Sequence, residues 1–132
     1  IAGMAKALEL SYANLEAEQQ HITDLKNYLI AALKEAFPET GINGSEKGFY
    51  NIVNVLLPFS DDKTAMILFN LDMKGIAVSR GSACQSGSIK PSHVLAEILS
   101  DEAIKKPSLR ISLGHDNTKE DIDLFVEALK AV

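Results

Sequence analysis

Apolar residues recur at helical spacing through the first third of the chain. No Gly or Pro interrupts residues 5–37, so a single long helix is predicted there. A polar patch at residues 16–21 marks the point where this helix is predicted to change what it packs against, and Pro38 ends it because proline disfavours helical backbone at Phe37. Its apolar face consists of Met4, Leu8, Leu15, Ile22, Leu25, Leu29 and Leu33.

Beyond Pro38 the pattern becomes that of short strands and turns. Residues 40–45 predict a turn around a very short strand, in which Asn43 and Gly44 suit positive φ. The β-branched run at 51–57 predicts a second strand, within which Asn54 either bonds a neighbouring loop or faces solvent. Residues 60–75 then predict a helix of about three turns that stops at Gly75.

The second half of the chain continues this alternation of strands and helices. Residues 76–78 predict a short strand, and 92–99 a helix whose Val94, Leu95 and Ile98 face inward. The alternation over 107–114 predicts a half-buried strand, with Leu109, Ile111 and Leu113 on one face and Ser108, Arg110 and Ser112 on the other. Thr118 and Asp121 have capping-box spacing, and the last helix has an apolar side formed by Ile122, Leu124, Phe125 and Leu129.

The predicted fold class is α+β over residues 1–132: one small, mainly antiparallel sheet with helices packed on one face, preceded by the long helix. The connections between the predicted strands and helices lack a glycine-rich phosphate loop, so neither a Rossmann nor a P-loop signature is present. No second domain boundary, repeat or low-complexity tract is present.

Composition narrows the function classes. The 132 residues are 46% hydrophobic with a formal net charge of −5, and their acids and bases are interspersed, so neither nucleic acid nor membrane is predicted as a partner. A single cysteine forms no internal disulfide, which suits a reducing compartment such as the cytoplasm. No metal site is predicted.

Cys84 lies among two glycines and five serines at residues 79–92, where a structural cysteine would lack apolar neighbours. Arg80, Lys90 or a helix start at Pro91 would each favour its thiolate. The alternative is an incidental surface cysteine. His93 follows nine residues later, a spacing that defines no Cys-His geometry.

Arg110 stands at the centre of the polar face of its strand. It is either a solvated residue or the floor of an anion site, since a guanidinium binds a carboxylate through two parallel hydrogen bonds. His21 and His115 are interpreted as a solvated helix residue and a loop residue.

Two ordered motifs carry a family resemblance. Residues 81–84 (GSAC) with 90–95 (KPSHVL), and residues 109–114 (LRISLG) with 117–123 (NTKEDID), resemble the C-terminal part of cysteine desulfurases of the NifS and IscS type, in the class V aminotransferase superfamily. Gln85 and Lys90 depart from the family pattern in the loop.

The resemblance implies a pyridoxal-phosphate enzyme that converts L-cysteine to L-alanine and leaves a persulfide on Cys84, with Arg110 holding the substrate carboxylate. It implies a mobile Cys84 loop, a sulfur-acceptor or scaffold protein as partner, a homodimer, and a role in iron-sulfur cluster assembly or tRNA thiolation. It also implies that this chain is the C-terminal small domain of a fold-type I enzyme. The Schiff-base lysine and the other cofactor contacts would then lie in an absent large domain, and the isolated chain would be inactive.

Two other functions stay open. The small domain of another class V aminotransferase or of a cysteine lyase would keep Arg110 but would not require Cys84. A stand-alone interaction or redox module would require neither a cofactor nor a larger protein.

Overall fold

The computed structural model describes residues 1–60, 63, 66–80 and 92–132. Its strands β1, β2 and β3 form an antiparallel sheet in that order, which confirms the small antiparallel sheet. The elements are α1 (Ala2–Ala36), β1 (Gly41–Ile42), β2 (Ile52–Leu56), α2 (Ile67–Asp72), α3 (His93–Ile98), a 3₁₀ turn (Ala103–Lys105), β3 (Ser108–Ser112) and α4 (Lys119–Lys130).

The hydrophobic core lies on one face of this sheet. Val53 pairs with Ile111 and Val55 with Leu109 across β2 and β3, and all four side chains are buried. Because strand residues alternate between the two faces, these pairs direct the intervening residues away from the core. Buried side chains of α1, α2 and α4 complete the core, so the predicted α+β fold is confirmed, with these three helices on one face of the sheet.

Only the second half of α1 packs against the sheet. Ile22, Leu25, Leu29 and Leu33 are buried, whereas every residue from 1 to 17 is exposed. The change occurs at the polar patch, as predicted. The apolar face nevertheless continues into the exposed half through Met4, Leu8 and Leu15.

Polar contacts fix α1 to its neighbours. Lys26 is 3% exposed, and its ammonium donates hydrogen bonds to the carbonyl oxygens of Gly48 (3.2 Å) and Phe49 (2.9 Å). The Tyr28 hydroxyl donates to Asp123 Oδ1 on α4 at 2.8 Å, and this bond to a carboxylate raises the pKa of Tyr28. These contacts fix the position of α1 against both the 45–50 loop and α4.

The predicted strand at 76–78 does not form, because this segment is held at the end of α2. Gly75 adopts a φ of 76°, and the Ile76 amide donates to the Leu71 carbonyl oxygen at 3.0 Å. The segment therefore diverges from β3, and pairing is limited to the single bridge between Ser79 and Arg110. A groove of about 540 Å³ lies between residues 74–78, the end of β3 and α4.

Val94 and Ile98 were predicted to face inward but are exposed, and Leu124 of the apolar side of α4 is exposed too. The short helix α3 buries Leu95 alone, and Val94 and Ile98, four residues apart, share a different face. On α4 the buried set is Ile122, Phe125, Val126, Ala128 and Leu129, which leaves Leu124 on the groove side of that helix.

Three further predictions concern the turn at residues 40–45, the end of α1 and the helix at residues 60–75. Gly44 has a φ of 101° and α1 ends next to Phe37, as predicted, but Asn43 does not adopt a positive φ. The predicted helix at 60–75 is described over Ile67–Asp72, and most of its predicted start lies outside the described residues.

The capping box of α4 yields a stability prediction. Thr118 Oγ1 accepts from the Asp121 amide at 3.2 Å, and Asp121 Oδ2 accepts from the Thr118 amide at 3.0 Å. We expect Thr118→Ala to lower the free energy of unfolding by about 1 kcal/mol, because one helix-end donor loses its acceptor. Thr23→Ala, inside α1, is the control. It should change the free energy of unfolding by less than about 0.5 kcal/mol, since alanine favours helix. Equal losses in urea denaturation would contradict the capping role.

The same box predicts a pH dependence. The hydrogen bond from the Thr118 backbone, with a second from the Asn117 side chain, lowers the pKa of Asp121 below 3.8. A lowered folded-state pKa contributes stability above the unfolded value and loses it as pH falls through the folded one. The difference in unfolding free energy between wild type and Asp121→Asn should thus be largest above pH 3.8 and shrink on acidification. A difference independent of pH would contradict this assignment.

Candidate functional site

Arg110 lies on the face of the sheet opposite the core, as the alternation in β3 predicts. Its neighbours Leu109 and Ile111 are buried in the core, whereas Arg110 itself is half-buried. Neighbouring groups therefore shield part of Arg110 from solvent. Within the described ranges no acidic side chain lies within ion-pair distance of its guanidinium.

Asn54 of β2 is the residue directly opposite Arg110. The Asn54 carbonyl oxygen accepts from the Asn43 amide, while the Arg110 backbone bonds to Ser79 on its other side. Asn54 and Arg110 thus form a pair without hydrogen bonds to each other, the type in which Cα atoms are about 4.5 Å apart and side chains come closest.

Asn43 holds the side chain of Asn54 in place. The Asn43 Nδ2 group donates to Asn54 Oδ1 at 2.8 Å and to Ser108 Oγ at 3.0 Å. Of the two interpretations of Asn54, the structure supports the one in which it bonds a neighbouring segment. It does so while remaining on the face opposite the core.

Ser79 completes the arrangement on the other side of Arg110. The Ser79 amide donates to the Arg110 carbonyl oxygen at 3.1 Å, and the Arg110 amide donates to the Ser79 carbonyl oxygen at 2.7 Å. Directly opposite residues of antiparallel strands project to the same side. Asn43, Asn54, Arg110 and Ser79 therefore form a line across the sheet, which we call the polar row.

Sequence reasoning placed Arg110 and singled out Asn54 but missed Asn43 and Ser79 as their neighbours. The sequence pattern predicts which positions of each strand are polar, but it does not predict the register that aligns those positions between strands. Cys84 lies outside the described residues, and so does its predicted mobile loop. The start of that segment is nonetheless fixed, because Ser79 is bonded to Arg110.

The histidines are placed as follows. His21 is exposed, and its Nε2 lies 3.1 Å from the Asn117 carbonyl oxygen. His115 is an exposed loop residue whose Nε2 lies 3.3 Å from Asp116 Oδ1, which confirms its interpretation as a loop residue. His93 begins α3 and is exposed, and its pairing with Cys84 falls outside the described residues.

The described residues do not by themselves fit a pyridoxal-phosphate site. Lys26 is the buried lysine among them, and its ammonium is already bonded to two backbone carbonyls. In the same ranges no group of three or more histidine, cysteine and acidic side chains is arranged to hold a metal ion. None of the described helices is long and apolar enough to cross a membrane.

The polar row offers hydrogen-bond donors to an anion. A guanidinium presents two parallel N–H groups that match a carboxylate. Because no described carboxylate occupies Arg110, an external carboxylate is the kind of ligand that this surface suits.

Comparison with known proteins gives consistent matches. The chain is 38% identical to the cysteine desulfurase IscS of Clostridium botulinum over 133 residues, which cover all of this chain and 34% of that protein. It is 30% identical to the human cysteine desulfurase over 128 residues, which cover 96% of this chain and 27% of that one. The X-ray structure of a NifS-like protein from Rickettsia africae superposes with a TM-score of 0.71 at 29% identity, covering 92% of this chain and 31% of that one.

This chain spans about a third of the length of the curated relatives it matches. The resemblance to NifS- and IscS-type proteins is confirmed by these matches. The family model described as aminotransferase class-V matches residues 1–125, a span that includes the whole sheet and every member of the polar row. The chain therefore belongs to the aminotransferase class-V family.

Proposed function

We propose that this chain is part of a cysteine desulfurase, which removes sulfur from L-cysteine, releases L-alanine and leaves a persulfide on Cys84. The observation that carries the proposal is the pair of backbone hydrogen bonds between Ser79 and Arg110. Cys84 follows Ser79 by five positions, and five residues extend at most about 18 Å. A nucleophile and a carboxylate-binding group are thus tethered to one place on the sheet.

In the proposed reaction Arg110 binds the α-carboxylate of L-cysteine and so orients its side chain. The Cys84 thiolate attacks the substrate sulfur, the carbon–sulfur bond breaks, and a sulfur–sulfur bond forms on Cys84. The substrate carbon takes up a proton, and alanine leaves, so one thiol and one cysteine give one persulfide and one alanine. Pyridoxal phosphate, bound elsewhere in the protein, supplies the electron sink that makes the carbon–sulfur bond labile.

The chain is proposed to be the C-terminal small domain of that protein, with the cofactor and its lysine in a preceding large domain. The exposed half of α1 supports this arrangement. Its apolar residues Met4, Leu8 and Leu15 continue the face that is buried from Ile22 onward, and relatives about three times as long provide a domain to cover them. The occupant proposed for this surface is therefore the rest of the same polypeptide.

The product side of the reaction requires a partner. In the proposed reaction the outer sulfur of the Cys84 persulfide passes to a sulfur-acceptor or scaffold protein. The proposed destinations are iron-sulfur cluster assembly or tRNA thiolation, in a homodimeric enzyme of the cytoplasm.

The role of Cys84 predicts a clean loss of sulfur release. In the full-length protein, Cys84→Ala should abolish sulfide production from L-cysteine while leaving cofactor absorbance unchanged, because the thiol acts after the cofactor is bound. After incubation with L-cysteine, the wild type should gain the mass of one sulfur atom at Cys84 and the variant should gain none. Persistent sulfide release from Cys84→Ala would contradict the proposal and favour another class V activity.

The role of Arg110 predicts weakened substrate binding. Arg110→Ala should lower kcat/KM for L-cysteine, which corresponds to an activation free energy raised by about 2 to 5 kcal/mol, because the substrate carboxylate loses its bidentate partner. Arg110→Lys should recover part of the loss through its charge alone. Lys106→Ala removes the same charge from an exposed position just before β3 and should leave kcat/KM within about twofold. Equal effects of Arg110→Ala and Lys106→Ala would contradict the carboxylate role.

A further inference from the structure

The orientation of the Asn54 amide has a consequence for what the polar row binds. Asn43 occupies Asn54 Oδ1 with one hydrogen of its Nδ2 group and Ser108 Oγ with the other. Ser108 is 7% exposed, so this hydrogen-bonded group is anchored in a buried part of the sheet. With its oxygen engaged in this way, the Asn54 amide offers its own Nδ2 hydrogens to a group above the row.

Those hydrogens lie next to the guanidinium-bearing side chain of Arg110. The two residues form the closer type of cross-strand pair, with Cα atoms about 4.5 Å apart. A guanidinium has no acceptor, and neither does an amide nitrogen, so the two groups do not satisfy each other. The guanidinium and the Asn54 Nδ2 group can therefore donate to one acceptor that lies over the polar row.

We propose that Asn54 is a second donor to the substrate carboxylate and helps select a carboxylate over a neutral amide at this position. The inference rests on the proposed function, in which Arg110 binds that carboxylate. A carboxylate has about four lone-pair sites, so two bonds from Arg110 leave capacity for one from Asn54. A carboxamide presents donors as well as an oxygen, and its NH₂ group would face a surface made of donors.

The test uses the full-length protein and two ligands, L-alanine and L-alaninamide. They differ only in that the first has a carboxylate where the second has a carboxamide. Binding is measured by calorimetry and by competition with L-cysteine. Asn54→Asp keeps the oxygen that accepts from Asn43, removes the donor and adds a carboxylate that would pair with Arg110. The Kd for L-alanine should rise about tenfold or more while that for L-alaninamide stays within about twofold, so the preference for the carboxylate collapses.

Asn54→Ser is the second variant. It keeps a small polar group in the row but shortens the donor, so it should lower the same preference even if Asn54→Asp does not fold. Asn43→Ala should lower it less, because the freed Asn54 amide can turn its oxygen towards Arg110. Ser112→Ala alters the same face of β3, two residues from Arg110, and should leave both Kd values unchanged.

The outcomes distinguish a failure of the role proposed for Asn54 from a failure of the proposed desulfurase function. A preference retained in folded Asn54→Asp or in Asn54→Ser, but lost in Arg110→Ala, would overturn the role of Asn54 and leave the desulfurase proposal standing. A preference retained in Arg110→Ala as well would overturn the carboxylate site itself. Equal loss in Ser112→Ala and the Asn54 variants would show a general effect of disturbing the sheet face, and would also overturn the role of Asn54.

Discussion

The antiparallel pairing of β3 is the constraint on which both the core and the candidate site depend. Residues 109 and 111 bond towards β2 and bury their side chains, while the backbone of Arg110 bonds to Ser79 on the opposite edge. A shift of one residue in this register would exchange the two faces, burying a guanidinium and exposing two core side chains. Core packing therefore fixes the face on which Arg110 lies.

The same strand is bonded to the start of the segment that carries Cys84, the proposed nucleophile. Residues 76–78 diverge from β3 because they are held at the end of α2, and the chain returns to the sheet only at Ser79. Two hydrogen bonds at that point fix where the following segment begins. A short bridge is sufficient for this, because both hydrogen bonds join the same two residues.

The apolar face of helix α1 is buried along one half of the helix and exposed along the other. Its apolar face is continuous, yet the sheet and α4 cover it only from Ile22 onward. An apolar face of this length left in water is typical of an interaction surface rather than of a finished domain. The proposed covering by the rest of the polypeptide explains why the face continues beyond the polar patch.

Local pattern in the sequence was sufficient to predict the fold class, the main strands, the long helix and the capping box of α4. Periodicity and capping depend on residues a few positions apart, so no distant contact is needed to read them. The strand at 76–78 and the inward positions of Val94 and Ile98 were wrong, because they depend on which surface a segment meets. The polar row was likewise decided by tertiary structure. Asn43, Asn54, Ser79 and Arg110 come from four separate segments, and only the register of the strands aligns them.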